Sequence, residues 1–214
     1  MKIEGAVALV TGANRGLGRE FARQLAARGA TVYAAARDPL SITDPLVKPI
    51  QLDVTDRASV EAAVDLAGDT TLLINNAGIL RADDPRAEME TNYFGPLMLT
   101  DAFGPVLGRN GGGAIVNVLS VLSFLGWPRS RGYAASKAAA WSLTKSTRLA
   151  LNEQGTLVVA VHAGFIDTDM VAEVTAPKIT PESVVSQVID ALEHDREEVL
   201  ADDISRAAKA GLVD

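Results

Sequence analysis

Short runs of β-branched and aliphatic residues alternate along this chain with longer stretches of helical period, a pattern that folds as repeated βα units around a parallel sheet. Seven strands are predicted, at Ala6–Val10, Thr31–Ala35, Ile50–Asp53, Thr71–Ile74, Ala114–Leu119, Leu157–Val161 and Glu198–Ala201. Several are apolar at every position, which suits strands covered by helices on both faces and disfavours an antiparallel sandwich. Helices are predicted near Leu17–Arg28, Arg57–Ala67, Ala87–Arg109, Tyr133–Gln154 and Pro181–Glu193, with a short one near Ile204–Lys209. Gly29, Gly68 and Gly155 stand where helices stop, and Gly108 with Gly111–Gly113 closes the Ala87–Arg109 helix, as expected of glycine just past a helix end. Asp38–Pro49 reads as a surface loop, not a linker, so residues 1–214 are expected to form one α/β domain of three layers, with helices on both faces of a mainly parallel seven-stranded sheet.

Composition narrows the function classes. The chain has no cysteine, which excludes disulfides and thiolate metal sites, and its two histidines, His162 and His194, make a histidine metal cluster unexpected. Twenty basic against 27 acidic residues give a net charge of −7, which argues against a broad footprint for nucleic acid or anionic membrane. The apolar run before Thr11 is too short for a signal peptide, and no run approaches the length of a membrane-spanning helix. A cytoplasmic protein is expected, with a small-molecule substrate and no metal.

Thr11-Gly12-Ala13-Asn14-Arg15-Gly16-Leu17-Gly18 follows the first strand and opens the first helix. Glycine there allows a tight turn and a close approach to a pyrophosphate, while the N–H groups and positive dipole end of the helix face the anion. A nucleotide is therefore expected, and the nicotinamide dinucleotides differ from one another at the adenosine ribose. Which one it is falls to the end of the second strand, Ala36-Arg37-Asp38. A carboxylate at that point would accept from the ribose hydroxyls of NAD, whereas a 2′-phosphate needs a cation. Ala36 stands where the acid is expected, and Arg37 with Arg15 can clamp a phosphate through charge-assisted bonds worth roughly 1.5–3 kcal/mol each. NADP(H) is favoured, and Asp38 keeps NAD(H) as the minor alternative.

Tyr133 and Lys137 are four residues apart and share a helical face. Tyrosine's ordinary pKa near 10 is too high for proton transfer at neutrality, but a neighbouring ammonium and a cationic nicotinamide favour phenolate. Such a pair alone marks many solvated helices. Its company here is Ser120 and Ser123 at the carboxyl end of the fifth strand, Asn75-Asn76-Ala77-Gly78 at the end of the fourth, and Asn92 inside a helix that it weakens.

In this combination, from Thr11 to about Met170, the chain resembles the single-domain short-chain dehydrogenase/reductases, a family of Rossmann-type doubly wound fold. T-G-x-x-x-G-x-G, Asp53-Val54-Thr55, N-N-A-G, the helix Asn, a Ser thirteen residues before the Tyr, and Y-x-x-x-K occur in the family's order. The resemblance implies that Tyr133 is the acid/base, that Lys137 lowers its pKa and binds the nicotinamide ribose, that Ser120 orients the substrate oxygen, and that Asn92 holds a proton-relay water. It also implies cofactor contacts from Gly12, Asn14, Arg15, Gly16, Leu17, Gly18 and Arg37, from Asp53 and Val54 at the adenine, from Asn75, Ala77 and Gly78 at the centre, and from Gly164, Ile166 and Thr168 near the nicotinamide. The thirteen-residue spacing selects Ser120 over Ser123. The expected function is NADP(H)-dependent hydride transfer between a carbonyl and an alcohol; a non-catalytic NADPH sensor on the same fold is the alternative, and an epimerase would want a longer C-terminal region.

The chain departs from the family at Ala163-Gly164, where relatives carry Pro-Gly, and in the short segment Val171–Thr180, where many insert a helical lid. An open, apolar-rimmed pocket of Leu122, Phe124, Trp127, Phe165 and Met170 would suit hydrophobic carbonyls, with core or oligomer contacts an equal reading of these residues. The resemblance implies a homodimer or homotetramer through the two helices Ala87–Arg109 and Tyr133–Gln154. His162 is expected to fill a strand end and take no part in the chemistry.

Overall fold

Strands that are apolar on both faces need a helix layer on each side, and the protein supplies both. The structure, a computed structural model, describes residues 1–212. Its seven strands are β1 (Val7–Thr11), β2 (Thr31–Ala36), β3 (Lys48–Gln51), β4 (Leu72–Asn75), β5 (Ala114–Val118), β6 (Leu157–His162) and β7 (Glu198–Leu200). They form one sheet in the order β3-β2-β1-β4-β5-β6-β7, every neighbouring pair parallel. The helices are α1 (Gly16–Ala27), α2 (Arg57–Leu66), α3 (Pro85–Met89), α4 (Gly95–Arg109), α5 (Arg131–Ala150), α6 (Pro181–Glu193) and α7 (Asp203–Ala210).

Alternate residues of each strand serve different layers. Ala8, Val10, Ile74 and Val116 pack with Phe21 and Leu25 of α1 and Val185 and Val188 of α6. Leu9, Leu73 and Ile115 pack with Val60 of α2 and Leu99 and Phe103 of α4. Strand order reverses direction between β1 and β4, and in open sheets of this kind ligands sit at the strands' carboxyl ends beside such a point. The glycine turn after β1 and the N-N-A-G turn after β4 flank that crevice.

Two elements differ from the sequence expectation. β3 begins at Lys48, inside the expected loop, and takes in Pro49; it is an edge strand, where a residue lacking an N–H costs no ladder bond. The predicted Ala87–Arg109 helix is α3 and α4 joined by a π-helical turn over Glu90–Phe94. Pro96, in the first turn of α4, removes the N–H that the Asn92 carbonyl would receive in a continuous α-helix. Asp84 caps α3 through its side chain, accepting from Ala87 N–H at 3.0 Å. Other strand ends move by a residue or two, and α5 starts at Arg131 and ends at Ala150. Among the described residues no helix is long and apolar enough to cross a membrane.

Candidate functional site

The glycine turn is built for close backbone approach. Gly12 and Gly16 sit at φ +64° and +52°, a region that disfavours side chains. A Cβ on Gly18 would lie 2.2 Å from the Gly12 carbonyl oxygen, so only glycine lets α1 start this close to β1. Arg15, at the N-cap of α1, makes no side-chain cap, which leaves the first-turn N–H groups to an outside acceptor. Asn14 is half-buried beside it and Leu17 is buried beneath. Two residues that the motif reading left without a role lock the turn. The Asn76 amide donates to the carbonyls of Thr11 (2.8 Å) and Gly12 (3.3 Å), and the Thr11 hydroxyl accepts from Asn76 and Ala77 N–H at 3.0 Å each. Their identity in T-G and N-N-A-G was the available clue.

At the outer end, Arg37 is exposed just past β2. The Asp53 carboxyl is held below its usual range, chiefly by accepting from Thr55 N–H and partly by the Arg37 charge. Asp38 spends an oxygen on capping the next turn, accepting from Leu40 N–H at 3.0 Å. Val54 lies against the start of α4, where a Cβ on Gly95 would come within 3.0 Å of its Cγ2. Thr168 faces the glycine turn: its Cγ2 would be 3.2 Å from a Cβ on Gly16, and the exposed pair Arg15 and Asp169 lies beside it at 3.9 Å. Gly164 N–H donates to Asp202 at 2.7 Å, and Ile166 forms a single parallel bridge with Ile179 that ties down the short segment after Met170. Asn75 does not share this outward aspect. It is buried, and its amide donates to Asn117 at 2.8 Å, which donates in turn to Thr144 of α5.

Ser120, Tyr133 and Lys137 gather where the carboxyl ends of β4 and β5 meet α5. Ser120 is buried, and its Oγ accepts from Leu122 N–H at 3.1 Å, leaving its own proton to donate. Lys137 is 5% exposed, has its Nζ 2.8 Å from the Val118 carbonyl and 5.6 Å from the centre of the Tyr133 ring, and would lie 3.6 Å from a Cβ on Gly78. Burial without a carboxylate partner pulls the Lys137 ammonium down to about 8. Burial likewise pushes the Tyr133 phenol up to about 12, with the Ser120 hydroxyl opposing and the Glu88 charge adding to the rise. Desolvation is the largest of the protein's own influences on this phenol and works against the phenolate that the sequence leads one to expect.

Asn92 is buried in the π-turn with both ends of its amide hydrogen-bonded. Its Oδ1 accepts from Ile79 N–H at 2.9 Å, and its Nδ2 donates to the Ile79 carbonyl at 2.9 Å and to Ser136 Oγ at 3.0 Å. The side chain thus clamps the segment after N-N-A-G to α5. The backbone carbonyl of Asn92, which Pro96 deprives of a helical donor, can accept from an outside group.

The expected apolar rim divides. Leu122, Phe124 and Trp127 line a cavity of about 690 Å³ together with Ala134, Ala135 and Ala138 of α5. At about 100° per residue Ala135 and Ala138 lie round the helix from Tyr133 and Lys137, while Ala134 stands nearer to their face. Neither Phe165 nor Met170 lines that cavity, so these five residues do not form one rim over the reacting groups.

Residues 6–179 match the family model for short chain dehydrogenase. The chain is 36% identical over 188 residues to the 3-oxoacyl-(acyl-carrier-protein) reductase FabG of Escherichia coli (strain K12), a match covering 79% of this chain and 77% of that protein. Its structure is similar, at a TM-score of 0.96 and 42% identity, to a short chain dehydrogenase from Burkholderia cenocepacia J2315 in complex with NADP, over 100% of this chain and 94% of that one. A short chain dehydrogenase/reductase from Burkholderia phymatum in complex with NAD aligns at a TM-score of 0.89 and 26% identity, over 98% of this chain and 93% of that one.

Proposed function

The chain belongs to the short-chain dehydrogenase family, and from that premise we propose that it is an NADP(H)-dependent oxidoreductase that interconverts a carbonyl and an alcohol, with Tyr133 as the general acid/base. The observation that carries this reading is the gathering of Ser120, Tyr133 and a buried Lys137 without a carboxylate partner at the crevice where strand order reverses. The residues present fit a dinucleotide. The positive-φ glycines and the uncapped start of α1 offer N–H groups to a pyrophosphate, and Gly78 lies between Asn92 and Lys137, where a Cβ would stand 3.2 Å from Asn92 Oδ1. Arg37 and Arg15 supply cations for a 2′-phosphate, while Asp38, tied to its own turn, makes a poor acceptor for the ribose of NAD. A Burkholderia relative with bound NADP supports the same preference, and one with NAD keeps the second dinucleotide as the lesser partner.

When bound, the nicotinamide supplies or accepts the hydride. The chain's own groups handle the oxygen and its proton. Ser120 donates its free hydroxyl proton to the carbonyl oxygen and orients it. A phenol pushed up to about 12 is neutral at pH 7, so in the reductive direction Tyr133 is placed to give its proton to the developing alkoxide. Lys137 keeps two N–H bonds beyond the one to Val118, enough to bind ribose hydroxyls at the Gly78 edge. Asn92 acts as a positioning residue, holding Ile79 and α5 in register.

The test is NADPH consumption with aliphatic, aromatic and 3-oxoacyl carbonyls, run beside NADH and beside Tyr133→Phe. Turnover with NADPH that drops by about 10²–10⁴ in the mutant, with NADPH binding intact, is the expected result. Near-normal turnover in Tyr133→Phe would remove Tyr133 from the mechanism, and tight NADPH binding with no turnover on any carbonyl would favour the sensor.

A further inference from the structure

His162 closes β6 with its side chain at 0% exposure, and the chemistry above makes no use of it. Its Nδ1 lies 3.2 Å from the carbonyl oxygen of Ser120. That oxygen already receives Ser123 N–H at 2.9 Å, so the imidazole fills its second lone pair. A carbonyl only accepts; Nδ1 must therefore carry the proton of the neutral ring, and Nε2 is left with a bare lone pair. The surroundings agree, since Nε2 is buried with no hydrogen-bond partner.

Every charged group facing the ring is accounted for in these terms. Glu198 of β7 has its Oε1 3.8 Å from Nε2, beyond hydrogen-bond reach, and that oxygen is held at 2.6 Å by Lys209 of α7. Lys137 of α5 adds positive charge from the other side. Burial, with Lys209 and Lys137, pulls the imidazole down to about 4 against the opposing pull of the Ser120 carbonyl and Glu198, so it stays neutral at ordinary pH. The ring is also fixed in orientation. Phe124 stacks on it at 4.2 Å and 29°, and Trp141 meets it edge-on at 6.0 Å and 87°.

We propose that His162 is a positioning residue for Ser120: its Nδ1–H pins the Ser120 carbonyl and so fixes the peptide from which the Ser120 hydroxyl is aimed at the reacting oxygen. The neighbouring backbone is stitched to the same strand end, by Leu119 N–H to the Val161 carbonyl and Val121 N–H to the Ala163 carbonyl at 2.8 Å each. Val121 N–H and the Ser120 carbonyl are the two edges of one peptide: the strand end holds the first through Ala163, and the imidazole is the side-chain contact that holds the second. This inference rests on the oxidoreductase reading of Ser120.

Two measurements test it. Nitrogen-15 NMR of the imidazole in the full chain, which needs no substrate, is expected to show the proton on Nδ1 from pH 6 to 8; a proton on Nε2 overturns the proposal. In kinetics, His162→Phe keeps a ring against Phe124 but loses the donor, and is expected to lower kcat about ten- to hundredfold with the KM for NADPH unchanged. His162→Asn puts an amide N–H where Nδ1 stands and is expected to recover most of that loss. Wild-type kcat in His162→Phe, or equal losses in both variants, overturns the proposal while leaving the activity reading in place. An ionisation between pH 6 and 8 in the kcat profile that vanishes with His162 would make it a proton carrier and overturn the proposal as well. Undiminished turnover in Tyr133→Phe would instead strike the activity reading itself. Should His162→Phe fail to melt cooperatively, the tautomer and the Asn variant decide.

Discussion

Glu88 places a buried carboxylate close enough to raise the pKa of Tyr133. It is fully buried; Oε1 accepts from Arg81 N–H at 2.7 Å, while Oε2 has no partner and lies against the first turn of α5, where a Cβ on Gly132 would be 2.4 Å away. Behind the larger effect of burial, its negative charge raises the Tyr133 pKa. Glu88→Gln keeps an acceptor for Arg81 and removes the charge, so the phenol should ionise at lower pH. In the alcohol-oxidising direction the alkaline rise of kcat/KM should move down by about one pH unit or less, with cofactor affinity intact. An unmoved profile would mean that the Glu88 side chain does not act on the Tyr133 phenol. Neither Glu88 nor His162 stood out in the sequence, where an acid on a helix reads as solvated and a histidine at a strand end as filler. Ser120, Tyr133 and Lys137 were legible because their spacing is fixed by local structure. The partners that tune them stand 42 and 45 residues away along the chain, His162 from Ser120 and Glu88 from Tyr133, and only the fold brings them in.

Elements meet at this site through glycine. α3 packs against the start of α5 so closely that a Cβ on Gly132 would come within 2.5 Å of Pro85 Cβ and 2.9 Å of its Cα. The second of these atoms is backbone and cannot swing aside. Gly132→Ala should therefore push the first turn of α5 off α3, at a cost of about 1–3 kcal/mol in urea unfolding, and move Tyr133, the next residue, enough to lower kcat. Unchanged stability would show that α3 yields freely. The sequence announced α5 through its long helical period but hid the interruption before α4. Glycines and prolines in the Glu90–Pro96 stretch were visible, yet a π-turn depends on Asn92 being drawn sideways to Ile79 and Ser136, contacts that no local pattern encodes. β3 was misplaced for a related reason: Lys48 and Pro49 look like loop residues and are strand only because Tyr33 and Ala34 of β2 pair with them.

At the scale of the whole molecule, two apolar layers grip a parallel sheet, and their number and order followed from strands apolar on both faces. That core carries the cost of a site it also encloses. Lys137 titrates near 8 in the folded protein against 10.5 for an ordinary lysine. Between those values the unfolded chain holds a proton that the folded one has released, so this group's contribution to stability rises with pH across that window, by up to about 3 kcal/mol. Below pH 8 both states are charged, and the folded state bears the whole desolvation penalty. Lys137→Met removes the charge and keeps an apolar stem of similar length, so at pH 7 it should stabilise the cofactor-free protein by about 1–3 kcal/mol, the lost bond to Val118 offsetting part of the gain. Turnover should be lost in the same variant, and the stability difference from wild type should shrink between pH 8 and 10. Urea unfolding of both proteins at pH 7, 8, 9 and 10 reads this as a difference, in which the ionisation of Tyr133 in the unfolded chain, at its ordinary value of 10.0, is common to the two. A variant less stable than wild type at pH 7, by a margin independent of pH, would mean that the hydrogen bond of the buried ammonium to β5 outweighs its desolvation, and that this site is part of what holds the sheet together.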